Sequence, residues 1–296
     1  MTSTAKKRAS PLGPKAGTTA DDFLGGRIRI VQPKAGHRAG SDAVFLAAAV
    51  GARDRERVLD AGAGVGVAGL CLLARVPKVE VTAVEIDDGL CSLAAENAAA
   101  NGFSDRFSAI AADVTAPAKV LRDAGLVREG YDHVIANPPF YAEGAVRAAP
   151  NAARAVAHVM PPGELGRWVR FLTTMAAPKG ALTLIHRADC LGELLPLLED
   201  RFGDIAVFPL FPNAQEAATR IIVQGRKGSR AALRLLPGLV LHGPDGSYTE
   251  EAEAVLRGGE ALSLAGRKGK GRRPGGKGGS PISPEREESS RASKVR

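Results

Sequence analysis

The chain has 296 residues, 45% of them hydrophobic and 24% charged, which excludes a wholly disordered or fibrous polymer. Its net charge of +8 is uneven. The first 20 residues hold Lys6, Lys7, Arg8 and Lys15 without an acid, and residues 267–296 hold ten Lys/Arg against Glu285, Glu287 and Glu288, so the body between them is slightly acidic. The longest apolar stretch, near Ala43–Ala52, falls far short of the roughly 20 residues a spanning helix needs. No apolar segment backs the basic N-terminus, so no secretory signal is expected. These features predict a cytoplasmic monomer with no membrane partner. Cys71, Cys91 and Cys190 stand far apart, and without ligand spacing no metal site is expected.

In chain order, residues 1–22 lack the apolar content to offset ordering entropy and are expected to be disordered. Phe23–Gln32 has a Gly-Gly turn followed by alternating residues, the pattern of a short hairpin. Ser41 can N-cap an apolar helix running from Asp42 to about Val50. Strands are then predicted at Arg57–Asp60, Val79–Glu85, Phe107–Ala111, Tyr131–Ala136, Gly180–His186, Ile205–Phe211 and Arg220–Gln224. Helices are predicted between them at Val67–Arg75, Asp88–Asn101, Ala118–Ala124, Pro162–Ala176 and Leu191–Arg201. Regular alternation with nearly continuous apolar strands predicts an α/β fold, a mostly parallel seven-stranded sheet with helices on both faces. Leu233–Gly258 is expected to close it with one strand and a short helix. The expected organisation is a basic head over 1–22, one domain over 23–266 and a disordered basic tail over 267–296. Within the domain, residues 23–54 form the hairpin and first helix, 55–232 the cofactor-binding core and 233–266 the closing segment.

The sharpest motif is Val58-Leu59-Asp60-Ala61-Gly62-Ala63-Gly64-Val65-Gly66. An apolar strand runs into a glycine turn that opens a helix, so the backbone can approach a ligand closely beside helix N–H groups. The next strand ends in Glu85, where a carboxylate can accept hydrogen bonds from ribose hydroxyls. A dinucleotide fingerprint would need glycine at position 67, which is Val67. The spacing Gly62, Gly64, Gly66 instead resembles the first motif of class I methyltransferases, whose cofactor is S-adenosylmethionine and whose fold is Rossmann-like. The resemblance implies that Asp60 and the glycine turn hold the methionine part of the cofactor, Glu85 the ribose, and Asp113 the adenine amine. Asp113 also suits a plain turn or helix cap.

After the fourth strand comes Asn137-Pro138-Pro139-Phe140. Two prolines remove two N–H donors, leaving carbonyls that can face a substrate. The Asn137 side chain adds an acceptor oxygen, and Phe140 a flat apolar face. Two acceptors on the hydrogens of a planar exocyclic amine, the Asn137 oxygen and the Pro138 carbonyl, would pull its nitrogen toward tetrahedral geometry and free its lone pair. The segment resembles the fourth motif of amino methyltransferases, which modify adenine, cytosine, some guanines and a glutamine amide. Transfer would then be a direct displacement governed by positioning, with no covalent enzyme intermediate.

Gln32–Ala47, with Arg38, Gly40, Ser41 and Asp42, resembles the N-terminal signature of the bacterial family that methylates N6 of an adenosine beside the anticodon of a valine tRNA. Gly246-Ser247-Tyr248-Thr249 resembles that family's Tyr-Thr near the C-terminus. Family members often carry lysine at the place of Arg38 and tyrosine at that of Phe140. The resemblance implies a tRNA substrate, a role for Asp42 at the cofactor and for Arg38 at the cofactor carboxylate or an RNA phosphate, and the basic arms suit a phosphate backbone. Two further readings are a protein-glutamine methyltransferase of the release-factor type and a non-catalytic RNA-binding module that keeps the fold.

Overall fold

The computed structural model describes residues 16–36, 38–139 and 163–264. Phe140, His37 and both basic arms lie outside the described residues. The chain enters through an antiparallel hairpin of β1 (Thr18–Phe23) and β2 (Ile28–Pro33), joined by a tight turn at Leu24–Gly26 in which Gly25 and Gly26 take positive φ. Residues 18–22 are therefore a strand, which corrects the expected disorder up to Asp22. Polar side chains anchor this strand: Asp21 Oδ2 accepts from Thr19, from the buried Gln32 at 2.9 Å and from Arg38 at 2.7 Å. An apolar count along the sequence has no sight of such a network.

Helix α1 (Ser41–Ala49) follows, with Gly40 rather than Ser41 at the N-cap position and Asp42 in the first turn. Its Ala43–Ala49 are all buried, so it is a core helix and not an amphipathic one. The main sheet contains β3 (Arg57–Ala61), β4 (Glu80–Glu85), β5 (Phe107–Ala111), β6 (Tyr131–Ala136), β7 (Ala176–Arg187), β8 (Phe202–Phe211) and β9 (Arg220–Lys227). Their spatial order is β5-β4-β3-β6-β7-β9-β8, with β9 antiparallel to both neighbours and the other six mutually parallel. Two short strands, β10 (Arg234–Leu235) and β11 (Leu239–Val240), add in parallel to the outer edge of β8 and bring the sheet to nine. The closing segment thus supplies two strands where one was expected.

The helices fall on two faces, each with its own apolar cluster. One cluster takes α1, α2 (Val67–Arg75), α3 (Asp88–Ala100) and, near the end of the chain, α7 (Glu250–Leu256). The other takes α4 (Ala118–Asp123), α5 (Glu164–Met175) and α6 (Leu191–Glu199). Helix α5 runs straight into β7, which starts four residues earlier than the alternation predicts; Lys179 at φ 66 and a register shift opposite Tyr131–His133 absorb the irregularity. The fully buried Asn97 joins the hairpin to the core. Its Oδ1 accepts from Val31 N at 2.9 Å, and its Nδ2 donates to Val31 O and Val65 O. All its polar capacity is satisfied, the condition under which a buried amide stabilises rather than costs.

Candidate active site

The first parallel strand, β3, ends at Ala61, and the chain turns at once through Gly62, Gly64 and Gly66 with φ of 66°, 56° and 86°. Only glycine adopts such values without strain. Gly62 N and Ala63 N donate to Val84 O at 2.8 and 3.0 Å, which ties the loop to the neighbouring β4. Gly66 is the N-cap of α2. A Cβ at Gly64 would meet nothing within 4 Å, so the tip of the loop faces open space; one at Gly62 would stand 2.5 Å from Cη2 of the buried Trp168.

Gly62→Ala should therefore incur both a left-handed backbone and a collision with an indole that α5 holds in place. Left-handed strain alone is about 1–2 kcal/mol. For a domain of this size we expect the midpoint of thermal unfolding to fall by roughly 5 °C or more, read by differential scanning calorimetry. An unchanged midpoint would show that the indole yields freely.

Two carboxylates hold the loop from behind. Asp60, buried within β3, accepts from Gly69 N at 3.1 Å; burial, and secondarily the neighbouring Glu85, raise its pKa to about 7. Glu85, at the end of β4, accepts from Gly64 N at 2.8 Å through Oε2 and from Asp87 N at 3.1 Å through Oε1. Each oxygen keeps a lone pair for a hydroxyl donor. Asp87 then N-caps α3 through Leu90 N. Asp113, two residues past β5, receives Thr115 N and Thr115 Oγ1 on one oxygen at 2.7 and 2.8 Å, a side-chain turn beside the same rim.

Asn137-Pro138-Pro139 leaves the carboxyl end of β6, which lies beside β3 in the sheet. Asn137 Oδ1 is buried and has no hydrogen-bond partner among the described residues. A buried acceptor without a donor costs roughly 1–3 kcal/mol. Phe140, the expected stacking face, lies outside the described residues.

Arg38 pairs with Asp21 on β1, and Asp42 pairs with Arg220 Nε on β9 at 2.9 Å, ion pairs that pin the N-terminal segment and the start of α1. Sequence reasoning also missed Ile86, 67% exposed immediately after Glu85. A large aliphatic standing free beside a carboxylate at a sheet's carboxyl rim offers a flat ligand an apolar contact; its position directly after the strand-ending acid was the available signal.

An antiparallel seventh strand slotted between the fifth and sixth of an otherwise parallel sheet is the arrangement of class I methyltransferases, and ligands in open α/β sheets bind at the carboxyl ends where strand order reverses. The acids and glycines at β3 and β4 occupy that place. The comparisons agree. The family model described as the methyltransferase small domain matches residues 38–166. The tRNA1(Val) (adenine(37)-N6)-methyltransferase of Porphyromonas gingivalis is 27% identical over 243 residues, covering 78% of this chain and 91% of that protein. The protein of the same description from Enterobacter sp. is 29% identical over 258 residues, covering 82% and 96%. A crystal structure described as a predicted O-methyltransferase, protein Atu636 from Agrobacterium tumefaciens, superposes with a TM-score of 0.63 at 30% identity, covering 75% of this chain and 98% of that one. The chain belongs to the methyltransferases, with the small-domain match confined to residues 38–166, and its cofactor is S-adenosylmethionine. The residues present fit that cofactor. They offer acceptors for ribose hydroxyls and an adenine amine, open space before Gly64 and an apolar surface at Ile86.

Proposed function

We propose that this protein methylates the N6 amine of adenosine 37, beside the anticodon of a valine tRNA, and does so as a cytoplasmic monomer. The observation that carries the reading is the buried Oδ1 of Asn137, without a partner among the described residues and followed by two prolines. An oxygen acceptor would bring at most one hydrogen, whereas the Asn137 oxygen and the Pro138 carbonyl make two acceptors, the complement of an NH2 group. The curated relatives that span most of the chain bear the tRNA adenine-N6 description, which supports the same acceptor.

In this reading Asp60, Gly62, Gly64, Gly66, Glu85 and Asp113 bind the cofactor, and Asn137, Pro138, Pro139 and Phe140 act on the acceptor. S-adenosylmethionine supplies a methyl carbon made electron-poor by its sulfonium. Asn137 Oδ1 and the Pro138 carbonyl draw the two amine hydrogens out of the base plane and localise the nitrogen lone pair. Phe140 stacks on the base and sets its angle of approach. Glu85, fixed by Gly64 N and Asp87 N, keeps the loop and its ligand in register. Such preorganised acceptors gain most where water is excluded, because no reorganisation remains to be done at the moment of transfer.

The test is to incubate the purified protein with methyl-labelled S-adenosylmethionine and total tRNA from a strain lacking the gene, and then to identify the labelled nucleoside. Label in N6-methyladenosine is the expected result. Label on a protein amide, or in a different nucleoside, would overturn the assignment.

A further inference from the structure

Between α4 and α5, on the face of the sheet opposite α1 and α2, lies a cavity of about 720 Å³. One end opens at Val114–Ala118, directly after Asp113 on the carboxyl rim, and the other reaches Arg128 and the last turn of α5. Its floor is apolar, built from residues such as Leu121 and Phe171. Its described walls carry four exposed arginines, Arg122 and Arg128 on one side and Arg167 and Arg170 on the other, and no acidic side chain.

Three of these cations make no ion-pair contact within the described protein, although Arg128 acts on the neighbouring Glu129 at longer range. Arg122 approaches Asp123 at 3.9 Å, but that carboxylate is held by Lys119 at 2.6 Å. Arg128, Arg167 and Arg170 form no salt bridge with a described residue. Glu129, beside Arg128, is taken by Lys227 at 3.0 Å. Arg167 and Arg170 stand three residues apart on α5 and so share a face one turn apart. In a body whose overall charge is slightly negative, this concentration of one sign is a local exception. Arginine's planar fork matches phosphate oxygens two at a time.

We infer that this groove binds the sugar-phosphate backbone of the RNA substrate and holds the stem while the target base enters at Asn137. The inference rests on the RNA reading of the active site and names the surface that reading leaves open. Phosphate contacts of this kind fix orientation without reading sequence. Because the groove starts at the rim beside Asp113, a strand leaving the active site can follow it without crossing the sheet.

The test compares wild-type protein with Arg167→Gln/Arg170→Gln in filter binding of labelled tRNA across a salt series, together with steady-state methylation. Both side chains are exposed, so folding should be preserved. The plot of log affinity against log salt should lose about 1.5–2 of its slope, and affinity near 0.1 M salt should fall by roughly 10-fold or more. KM for tRNA should rise while kcat at saturating tRNA and affinity for S-adenosylmethionine stay unchanged. Arg167→Lys/Arg170→Lys should restore most of the slope, and Arg53→Gln/Lys78→Gln, at the amino end of the sheet, should leave it intact. If wild-type protein methylates tRNA and the glutamine pair keeps its slope and KM, the groove assignment alone falls. An equal loss in the Arg53/Lys78 pair would also overturn it, since total charge and not the groove would then be responsible. If wild-type protein neither binds nor methylates tRNA, the RNA reading itself falls and takes the groove assignment with it.

Discussion

Asn137→Ala is expected to lower kcat by at least about 10²-fold, the usual cost of removing a transition-state hydrogen bond, while affinity for S-adenosylmethionine changes little. The split follows from position. Asn137 leaves β6, whereas the glycine loop and the acids proposed for the cofactor lie at β3, β4 and β5. Its Oδ1 has no partner to lose among the described residues, so truncation should not destabilise the fold. A purely structural asparagine would behave in the opposite way, with a lowered melting temperature and preserved turnover. Single-turnover methylation and calorimetric titration of the cofactor separate the outcomes. Asn137→Asp should be intermediate, because it keeps an acceptor but adds a charge where burial penalises it. Wild-type turnover in Asn137→Ala would end the case for lone-pair activation at this residue.

The second large effect concerns Asp60 and pH. Burial raises its folded-state pKa to about 7, against 3.8 for the unconstrained carboxyl. Between about pH 4 and pH 7 the folded protein therefore holds a proton that the unfolded chain has released. Stability from this group is fully present below pH 4, declines as pH rises through that window and is level above it. Three units at about 1.4 kcal/mol each set the scale at roughly 4 kcal/mol. Buried histidines act in the opposite sense: His186, lowered to about 4 chiefly by burial, and His133, lowered by burial against the pull of Glu56, gain stability as pH rises. Comparison with Asp60→Asn cancels them. The stability of that variant relative to wild type should improve by several kcal/mol between pH 4 and pH 8 in denaturant titrations. A difference independent of pH would mean that the carboxylate ionises normally in the folded state.

Much of the site was legible because its signals are local. The glycines at 62, 64 and 66 are set by a turn that L side chains resist, and all three take positive φ. Asp60 and Glu85 end adjacent strands, so parallel pairing alone brings them together. Asn137-Pro138-Pro139 cannot continue a strand ladder, which left it as a distinct chemical feature at a strand end. The strands from β3 to β9 were visible as buried apolar runs, with boundaries off by a few residues where α5 passes directly into β7 and where β8 begins at Phe202.

What failed was whatever depended on partners far along the chain. The strand Thr18–Phe23 contains too little apolar surface to announce itself and is ordered by β2 and by the Asp21 network. The partners of Arg38 and Asp42, Asp21 and Arg220, were likewise not visible along the chain, because they meet only in space. Trp168 behind Gly62, Gly69 N on Asp60 and Asn97 between the hairpin and Val65 are likewise contacts between separate elements.

By itself, the sequence determined the alternation of strands and helices, the conformation of the glycine turn and the placement of Asp60, Glu85 and Asn137 at strand ends, since each rests on residues within a few positions of one another. Only the tertiary structure decided that β9 inserts antiparallel between β7 and β8, that Arg38 and Asp42 pair with Asp21 and Arg220, that Asn137 Oδ1 has no partner among the described residues, and that four arginines converge on one groove. Burial and Coulomb attraction act through space, and their partners are chosen only when the sheet is assembled.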